Sequence, residues 1–393
     1  MKPLNENAKL RGIKIKLYPT EEQKRRIDKM ISLSRAVYNL ALNYQNDSYE
    51  SKGIHMSEYD MNRLFNSIKK DPDKQWISEL PTGSIYATIH NLERGFKRFF
   101  NKQSKHPKFK SRKTAKKSVP IRSDRTVTRG KYIHISGIDT DVLAKDHKIP
   151  EGSKLYNTVV SFDGDNYYLG CCYEYISPYI DNIPNTDHPI GIDVGITNMI
   201  VDSDGEVFKY SDTTKLMKRK RRQDKRLSRD YRMYLNESMC TTTKYEDIQK
   251  SKNHKKREAL RRKTIKKLSN KRMNDIHTAT KRIVDKNPSA IVIENISVNE
   301  LIYQNKNWIS RYIPYMCFYE IHRQLRYKAE DRNIPIIVAE KNFPSTQLCN
   351  NCGERGKLDN NHRRFICKKC GYTNDRDFNA ALNLRDLYYL NNS

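Results

Sequence analysis

The sequence predicts an α/β domain with a mixed sheet in its C-terminal half, preceded by a unit in which short strands flank a helical stretch. Three observations carry this. Residues 190–211 read as a meander of three short strands, followed by helix, strand, helix, strand and terminal helix, an order that builds a mixed sheet. In the first half, strand alternation occurs at 13–18 and again from about 119 to 185, with helical periodicity between. The segment "PYIDNIPNTDHP" (178–189) carries three prolines and reads as a linker between the halves.

Each element has a local cause. In "IKIKLYPTEEQ" (13–23), Ile13, Ile15 and Leu17 alternate with Lys14, Lys16 and Tyr18, the period of a half-buried strand. Thr20 and Gln23 form a capping box, so a helix starts near residue 21. Helical patterns recur to about residue 100, with Ile85, Ile89, Leu92, Phe96 and Phe99 on one face. "NKQSKHPKFKSRKTAKKS" (101–118) is basic and poor in structure signals. Strands follow, as in "SFDGDNYYLGCCYEYI" (161–176).

In the second half, Gly195 and Asp204-Gly205 break the three strands. Two basic segments, 215–232 and 251–272, look helical. Leu260, Ile265, Leu268, Ile276, Ala279 and Ile283 are spaced for one packed face. "SAIVIENIS" (289–297) is a buried strand, a helix spans about 312–330, and "IPIIVAE" (334–340) is the next strand.

Composition speaks to partners. Lys and Arg number 75 against 46 Asp and Glu, a formal charge of +29, which points to nucleic acid. No run of about 18 apolar residues and no signal peptide is present, so a soluble, cytoplasmic protein is expected, nucleoid-associated when bound to DNA. Of eight cysteines, Cys171, Cys172, Cys240 and Cys317 read as ordinary thiols.

The other four, Cys349, Cys352, Cys367 and Cys370, read C-x2-C-x14-C-x2-C with a glycine, Gly353 and Gly371, after each pair. Each CxxC turn supplies two soft ligands, and four thiolates fill a Zn²⁺ tetrahedron, leaving no open position for catalytic water. The expected role is structural, with His362, Arg363 and Arg364 as exposed loop residues.

Asp193 and Glu294 are single acids inside apolar strands. Asp193 shares a sheet face with Gly191 and Gly195, while Glu294 lies in line with Val292. A buried carboxylate needs a cation, a hydrogen-bond set or a metal; spacing alone leaves open a turn cap for Asp193 and a strand end beside an arginine for Glu294. After the second CxxC, "NDRDFNAALNL" starts a helix at Asn374 and Asp375, puts Asp377 in its first turn, and uses Ala380 and Ala381 to approach a sheet. Three carboxylates on two strands and a helix can hold two divalent cations about 3.5–4 Å apart for in-line phosphodiester cleavage.

The set "GIDVGI", "IVIENIS", the CxxC–CxxC ribbon and "DRDFNAALNL", in this order, resembles the transposon-encoded TnpB (OrfB) family. "KLYPTEEQ", "HPKFKSR" (106–112) and "FPSTQLCNNCG" agree, so the likeness spans essentially the whole chain. The resemblance implies an RNA-guided DNA endonuclease related to compact type V CRISPR effectors. It also implies an RNase H-like (RuvC) nuclease domain at 186–340 and 373–393, interrupted by a zinc ribbon at 341–372. A β-barrel-like wedge domain at 1–20 and 119–185 would carry a helical recognition insertion at 21–118. Asp193, Glu294 and Asp377 then correspond to the three catalytic, Mg²⁺- or Mn²⁺-binding acids, with Asp375 the weaker candidate for the third. Asn295 stands where an Asp often follows the catalytic Glu.

Guide RNA and target double-stranded DNA are the implied partners, without a membrane. Lys218, Arg219, Arg221 and Arg222, and Lys255, Lys256, Arg261 and Arg262, would contact phosphates. Tyr18, Phe99, Phe109 and Trp308 stand near basic residues and could stack bases, although core packing is the better reading of each one individually. Two alternatives remain: a guide-loaded repressor that binds without cutting, and an actin-like ATPase, which "GIDVGITN" also resembles but which has no use for the ribbon or the charge.

Overall fold

The computed structural model describes residues 8–112, 115–237, 251–297, 300, 316–341, 343–358 and 363–392. Trp308, Cys240 and His362 lie outside them. The chain divides into two compact units, Met1–Ile176 and Ser177–Ser393. Among the described residues no helix is long and apolar enough to cross a membrane.

In the N-terminal unit, strand β1 (Ala8–Leu17) leads into helix α1 (Glu21–Lys52). The Thr20–Gln23 capping box forms in both directions, Gln23 N donating to Thr20 Oγ1 and Thr20 N to Gln23 Oε1. Helices α2 (Glu58–Ile68) and α3 (Thr82–Phe100) follow. Ile85, Ile89, Leu92 and Phe96 are buried as their spacing predicts, while Phe99 is half-buried, its ring against Phe100 and His106.

Strands β2 (Ser118–Pro120), β6 (Leu155–Phe162) and β7 (Tyr167–Ile176) join β1 in an antiparallel sheet of order β1-β7-β6-β2. A smaller sheet contains β3 (Val127–Arg129), β4 (Tyr132–His134) and β5 (Val142–Leu143), linked to β1 through a Leu17–Ala144 bridge. Helices and sheets share one core, from Ile27, Met30 and Phe65 to Val119, Ile133, Val160 and Leu169.

The C-terminal unit has a five-stranded sheet of order β10-β9-β8-β11-β12. Strands β8 (Ile190–Asp193), β9 (Ile200–Asp202) and β10 (Val207–Phe208) form the antiparallel meander; β11 (Ile291–Ile293) and β12 (Ile336–Val338) add in parallel. One face, with Ile190, Ile192, Ile291 and Ile293, is covered by α5 (Lys252–Asp285) and α6 (Phe318–Asp331) through Ile276, Ala279, Ile283, Ile321 and Leu325. The other face carries the terminal helix α7 (Arg376–Asn392), with Val292, Ala339 and Leu384 in contact. The basic segment at 215–232 lies in helix α4 (Thr214–Glu237).

Two expectations need correction. Leu260 is 47% exposed, and the buried stripe of α5 runs through His254, Thr264 and Leu268 instead. Thr264 satisfies its hydroxyl by donating to the Leu260 carbonyl four residues back, so a polar residue can take the inward position. The proline-rich segment is also no free linker. Asn182 Nδ2 donates to Asn287 Oδ1 at 2.8 Å and to the Arg332 carbonyl at 2.7 Å, and Asn185 N donates to the Asn287 carbonyl at 3.0 Å. These bonds tie it to the C-terminal unit.

Candidate active site and cysteine cluster

Parallel pairing of β8 with β11 matches Ile190 with Ile291, Gly191 with Val292 and Ile192 with Ile293. One step further along this register, Asp193 and Glu294 stand side by side at the carboxyl ends of the two strands. Both point away from the large apolar core, toward the face covered by α7, as the alternation of side chains requires.

Helix α7 reaches that face because residue 191 is glycine. A methyl there would lie 2.0 Å from the Ala381 carbonyl oxygen and 2.3 Å from Arg385 N. With Ala380, Ala381 and Leu384 all buried, the helix backbone rests almost directly on β8. Asp377 lies one helical turn before Ala381, on the same stripe, and so projects toward Asp193, two residues beyond Gly191.

The electrostatics record the proximity. Asp193 is 6% exposed. Burial first, then the Asp377 and Glu294 carboxylates, raise its pKa well above the ordinary Asp value, while the Arg376 guanidinium opposes the shift. Glu294 is raised by burial and pulled back by a hydrogen bond from Ser345 and by Arg376. Asn198 Nδ2 donates to Asp377 Oδ2 at 3.1 Å. Such a knot of carboxylates is chemically suited to hard divalent cations, which favour oxygen ligands.

Asp375 does something different. It ends strand β15 (Thr373–Asp375), and its Oδ1 accepts from Asp377 N at 3.0 Å and Phe378 N at 3.1 Å. It therefore caps α7. Arg376, Asn198 and Ser345 were not singled out from the sequence. The only signal for them was membership of the quoted motifs, "DRD", "GITN" and "FPST".

The four cysteines meet. Their sulfurs all lie within 4.8 Å of one another, and among the described residues this is the one such group of three or more ligands. Cys349 Sγ is 3.6 Å from Cys370 Sγ, and Cys352 Sγ is 3.6 Å from Cys367 Sγ. These spacings exceed a disulfide and match the edge, about 3.8 Å, of a tetrahedron with metal–sulfur bonds of about 2.3 Å. Gly353 and Gly371 take φ of +71° and +73° and donate to the carbonyls of Cys349 and Cys367, closing each knuckle. The Tyr372 amide helps hold the Cys370 thiol down at about 6.

Around this centre, β13 (Lys357–Leu358), β14 (Arg364–Ile366) and β15 form a small antiparallel sheet over the buried Phe365. Arg363 and Arg364 are exposed, and Arg363 Nη2 donates to Thr197 Oγ1 at 2.8 Å.

The basic helices α4 and α5 place Lys218, Arg219, Arg221, Arg222, Lys255, Lys256 and Arg262 at the surface. Arg261 is half-buried and its Nε donates to Asp224 Oδ1 at 2.5 Å, which gives it a structural partner within the helix pair. Tyr18 and Phe109 are 45% and 57% exposed, so neither is a core residue.

Comparison with known proteins agrees with this geometry. Residues 318–384, which span α6, the cysteine cluster and the start of α7, match the Cas12f1-like TNB domain family. Residues 7–53 match an OrfB helix-turn-helix domain family, although here they form β1 and the single long helix α1. A Streptomyces pristinaespiralis protein named as an RNA-guided DNA endonuclease is 29% identical over 382 residues, 95% of this chain and 88% of its own.

The chain resembles the TnpB (OrfB) family. InsQ of Escherichia coli K12, named likewise, is 24% identical over 398 residues, 96% of this chain and 92% of its own. A solved Cas12f1–sgRNA–target DNA complex shares the fold, with a TM-score of 0.54 at 14% identity, covering 97% of this chain and 99% of that one.

Proposed function

We propose that this TnpB-like protein is an RNA-guided DNA endonuclease of a mobile element, cleaving guide-matched DNA by metal-assisted phosphodiester hydrolysis at Asp193, Glu294 and Asp377. One observation supports the reading: two adjacent parallel strands and the glycine-seated helix α7 bring three carboxylates to the same end of the sheet, near enough that Asp377 and Glu294 raise the pKa of Asp193. An arrangement that costs stability by itself is intelligible as a cation site. Bound Mg²⁺ or Mn²⁺ would supply Lewis acidity, easing proton loss from the attacking water and offsetting charge on the leaving oxygen. Asp193 and Glu294 would hold the ions from the strands and Asp377 from the helix, its orientation fixed by Asn198. Water would attack phosphorus, the bond from phosphorus to the leaving oxygen would break, and that oxygen would take up a proton.

The ribbon would hold a structural Zn²⁺ through Cys349, Cys352, Cys367 and Cys370, whose spacing fits the ion. Residues 1–20 and 119–185 would serve as the wedge and 21–118 as the recognition insertion, with 186–340 and 373–393 as the nuclease domain. Lys218, Arg219, Arg221, Arg222, Lys255, Lys256 and Arg262 would contact phosphates, with Tyr18 and Phe109 available for base stacking. The alternative of an actin-like ATPase has no comparable support.

The test is cleavage by the RNA-loaded protein in Mg²⁺. Asp193→Ala, Glu294→Ala and Asp377→Ala should each abolish cutting and leave guided binding intact, because affinity comes from phosphates and base pairing. An unmodified, RNA-loaded protein that binds its target and never cuts in Mg²⁺ or Mn²⁺ would replace this reading with the non-cleaving repressor.

A further inference from the structure

The N-terminal unit contains a cavity of about 480 Å³ between α1 and residues 110, 112 and 115–118. Its lining is unlike a pocket for an organic ligand, which is mostly apolar. Only Ile31 and Ala115 are apolar, and five cations, Arg35, Lys110, Arg112, Lys116 and Lys117, face one carboxylate, Asp28. That carboxylate is already engaged, accepting a hydrogen bond from the Tyr167 hydroxyl at 3.0 Å.

Residues 110–112 and 115–117 have no regular secondary structure, yet the chain is held at Lys110. The Asn39 side chain clamps residue 110 as a strand neighbour would, its Nδ2 donating to the Lys110 carbonyl at 3.0 Å and its Oδ1 accepting from Lys110 N at 2.8 Å. The Lys110 ammonium lies 3.5 Å over the Tyr38 ring. Several other basic side chains of this unit are paired with acids, Lys24 with Glu21, Arg122 with Asp124 and Arg129 with Asp141. Among the described residues, no ion pair joins Arg35, Arg112 or Lys116 to a carboxylate. Cations fixed close together and left without counter-charges repel one another, and an anion relieves that repulsion. Ser32 on α1 adds a hydroxyl donor, while the Ser34 hydroxyl is taken up by Thr88.

We propose that this cavity is a preformed docking pocket for a backbone phosphodiester of a bound nucleic acid, gripped by Arg35 and Lys116 with Ser32. The proposal rests on the nucleic-acid partnership proposed above. RNA and DNA share this chemistry, so the test uses both.

The full-length double variant R35Q/K116Q is compared with K24Q/K29Q, which removes the same charge elsewhere on α1. Binding of a labelled single-stranded RNA and a labelled duplex DNA is followed by fluorescence anisotropy in EDTA across a salt series. We expect R35Q/K116Q to weaken one of the two ligands by about ten-fold and to flatten its log K against log[salt] slope by about 0.7 to 0.9 per lost phosphate contact. The affected ligand identifies the source of the phosphate. K24Q/K29Q should stay within about two-fold of the unmodified protein, and the charge-preserving R35K/K116R should retain most of the affinity. Equal losses in both glutamine variants, or no loss for either ligand, would overturn the pocket. Guided cleavage by the unmodified protein is read separately: if it persists while the pocket variants bind normally, the pocket fails and the nuclease reading stands. A protein that binds neither ligand ends both.

Discussion

Gly191→Ala tests how the site is assembled without touching any carboxylate. The added methyl would sit 2.0 Å from the Ala381 carbonyl oxygen and 2.3 Å from Arg385 N, where ordinary contact begins at 3.4 Å. Both obstacles are helix backbone, so no side chain can rotate away. Helix α7 must withdraw from β8 by about 1.4 Å, an overpacking strain of about 3 kcal/mol. In a unit of this size that lowers Tm by about 6–12 °C. Asp377, one turn before Ala381, moves with the helix. A displacement of about 1 Å at a catalytic group costs on the order of 10²-fold in rate. Single-turnover cleavage of guide-matched DNA should therefore fall by about that factor, while zinc content and RNA affinity stay unchanged. Cleavage within about three-fold of the unmodified protein would refute the claim that the close seat of α7 on Gly191 sets the position of Asp377.

Three further outcomes follow from particular residues. Cys352→Ser or Cys367→Ser should lower zinc content and Tm together, because metal binding there is folding energy; metal analysis beside a thermal melt checks it. Asp375→Ala should cost about 1 kcal/mol as a lost helix cap and keep more cleavage than Asp377→Ala in a side-by-side rate measurement. Asp193 and Glu294 have raised pKa values in the folded state, so in EDTA the contribution of these two groups to stability is fully present below the ordinary carboxylate range. That contribution is lost as pH rises through the shifted values. Melts across pH should show the decline, and Asp193→Asn should flatten it.

Much of this site was legible because the sequence states it in local terms. Alternation puts Asp193 and Glu294 opposite the isoleucines, and the two CxxC pairs with their glycines specify the cysteine cluster. What could not be read depends on contacts between distant segments. Nothing near Asn198 indicates that its amide meets Asp377, 179 residues away. Ser345 lies beside Glu294 only because the chain after β12 folds back across the sheet end. The inward turn of α5 at Thr264 escaped a hydrophobic pattern because a threonine that satisfies its own hydroxyl can be buried. Arg261 looked like a phosphate ligand, and only the pairing of α4 with α5 brings Asp224 to it.

The opposite faces of α7 explain why the cysteine cluster leads straight into the acids. Asp377, Ala381 and Leu384 fall on one stripe and meet the sheet. Asn379 and Asn383 fall on the other and are buried against the approach to the first CxxC. Asn379 Nδ2 donates to the Leu348 carbonyl at 2.7 Å, and Asn383 Nδ2 donates to the Ser345 and Leu348 carbonyls at 2.7 and 2.8 Å. Asn350 returns the contact, its N donating to Asn379 Oδ1 at 3.2 Å. The chain that sets Ser345 beside Glu294 is thus fastened to the helix that carries Asp377. The four-cysteine cluster immediately beyond lies at both ends of that fastening, residue 349 on one side and residue 370 on the other. Its influence on the acids is therefore exerted through position, with no chemistry of its own required.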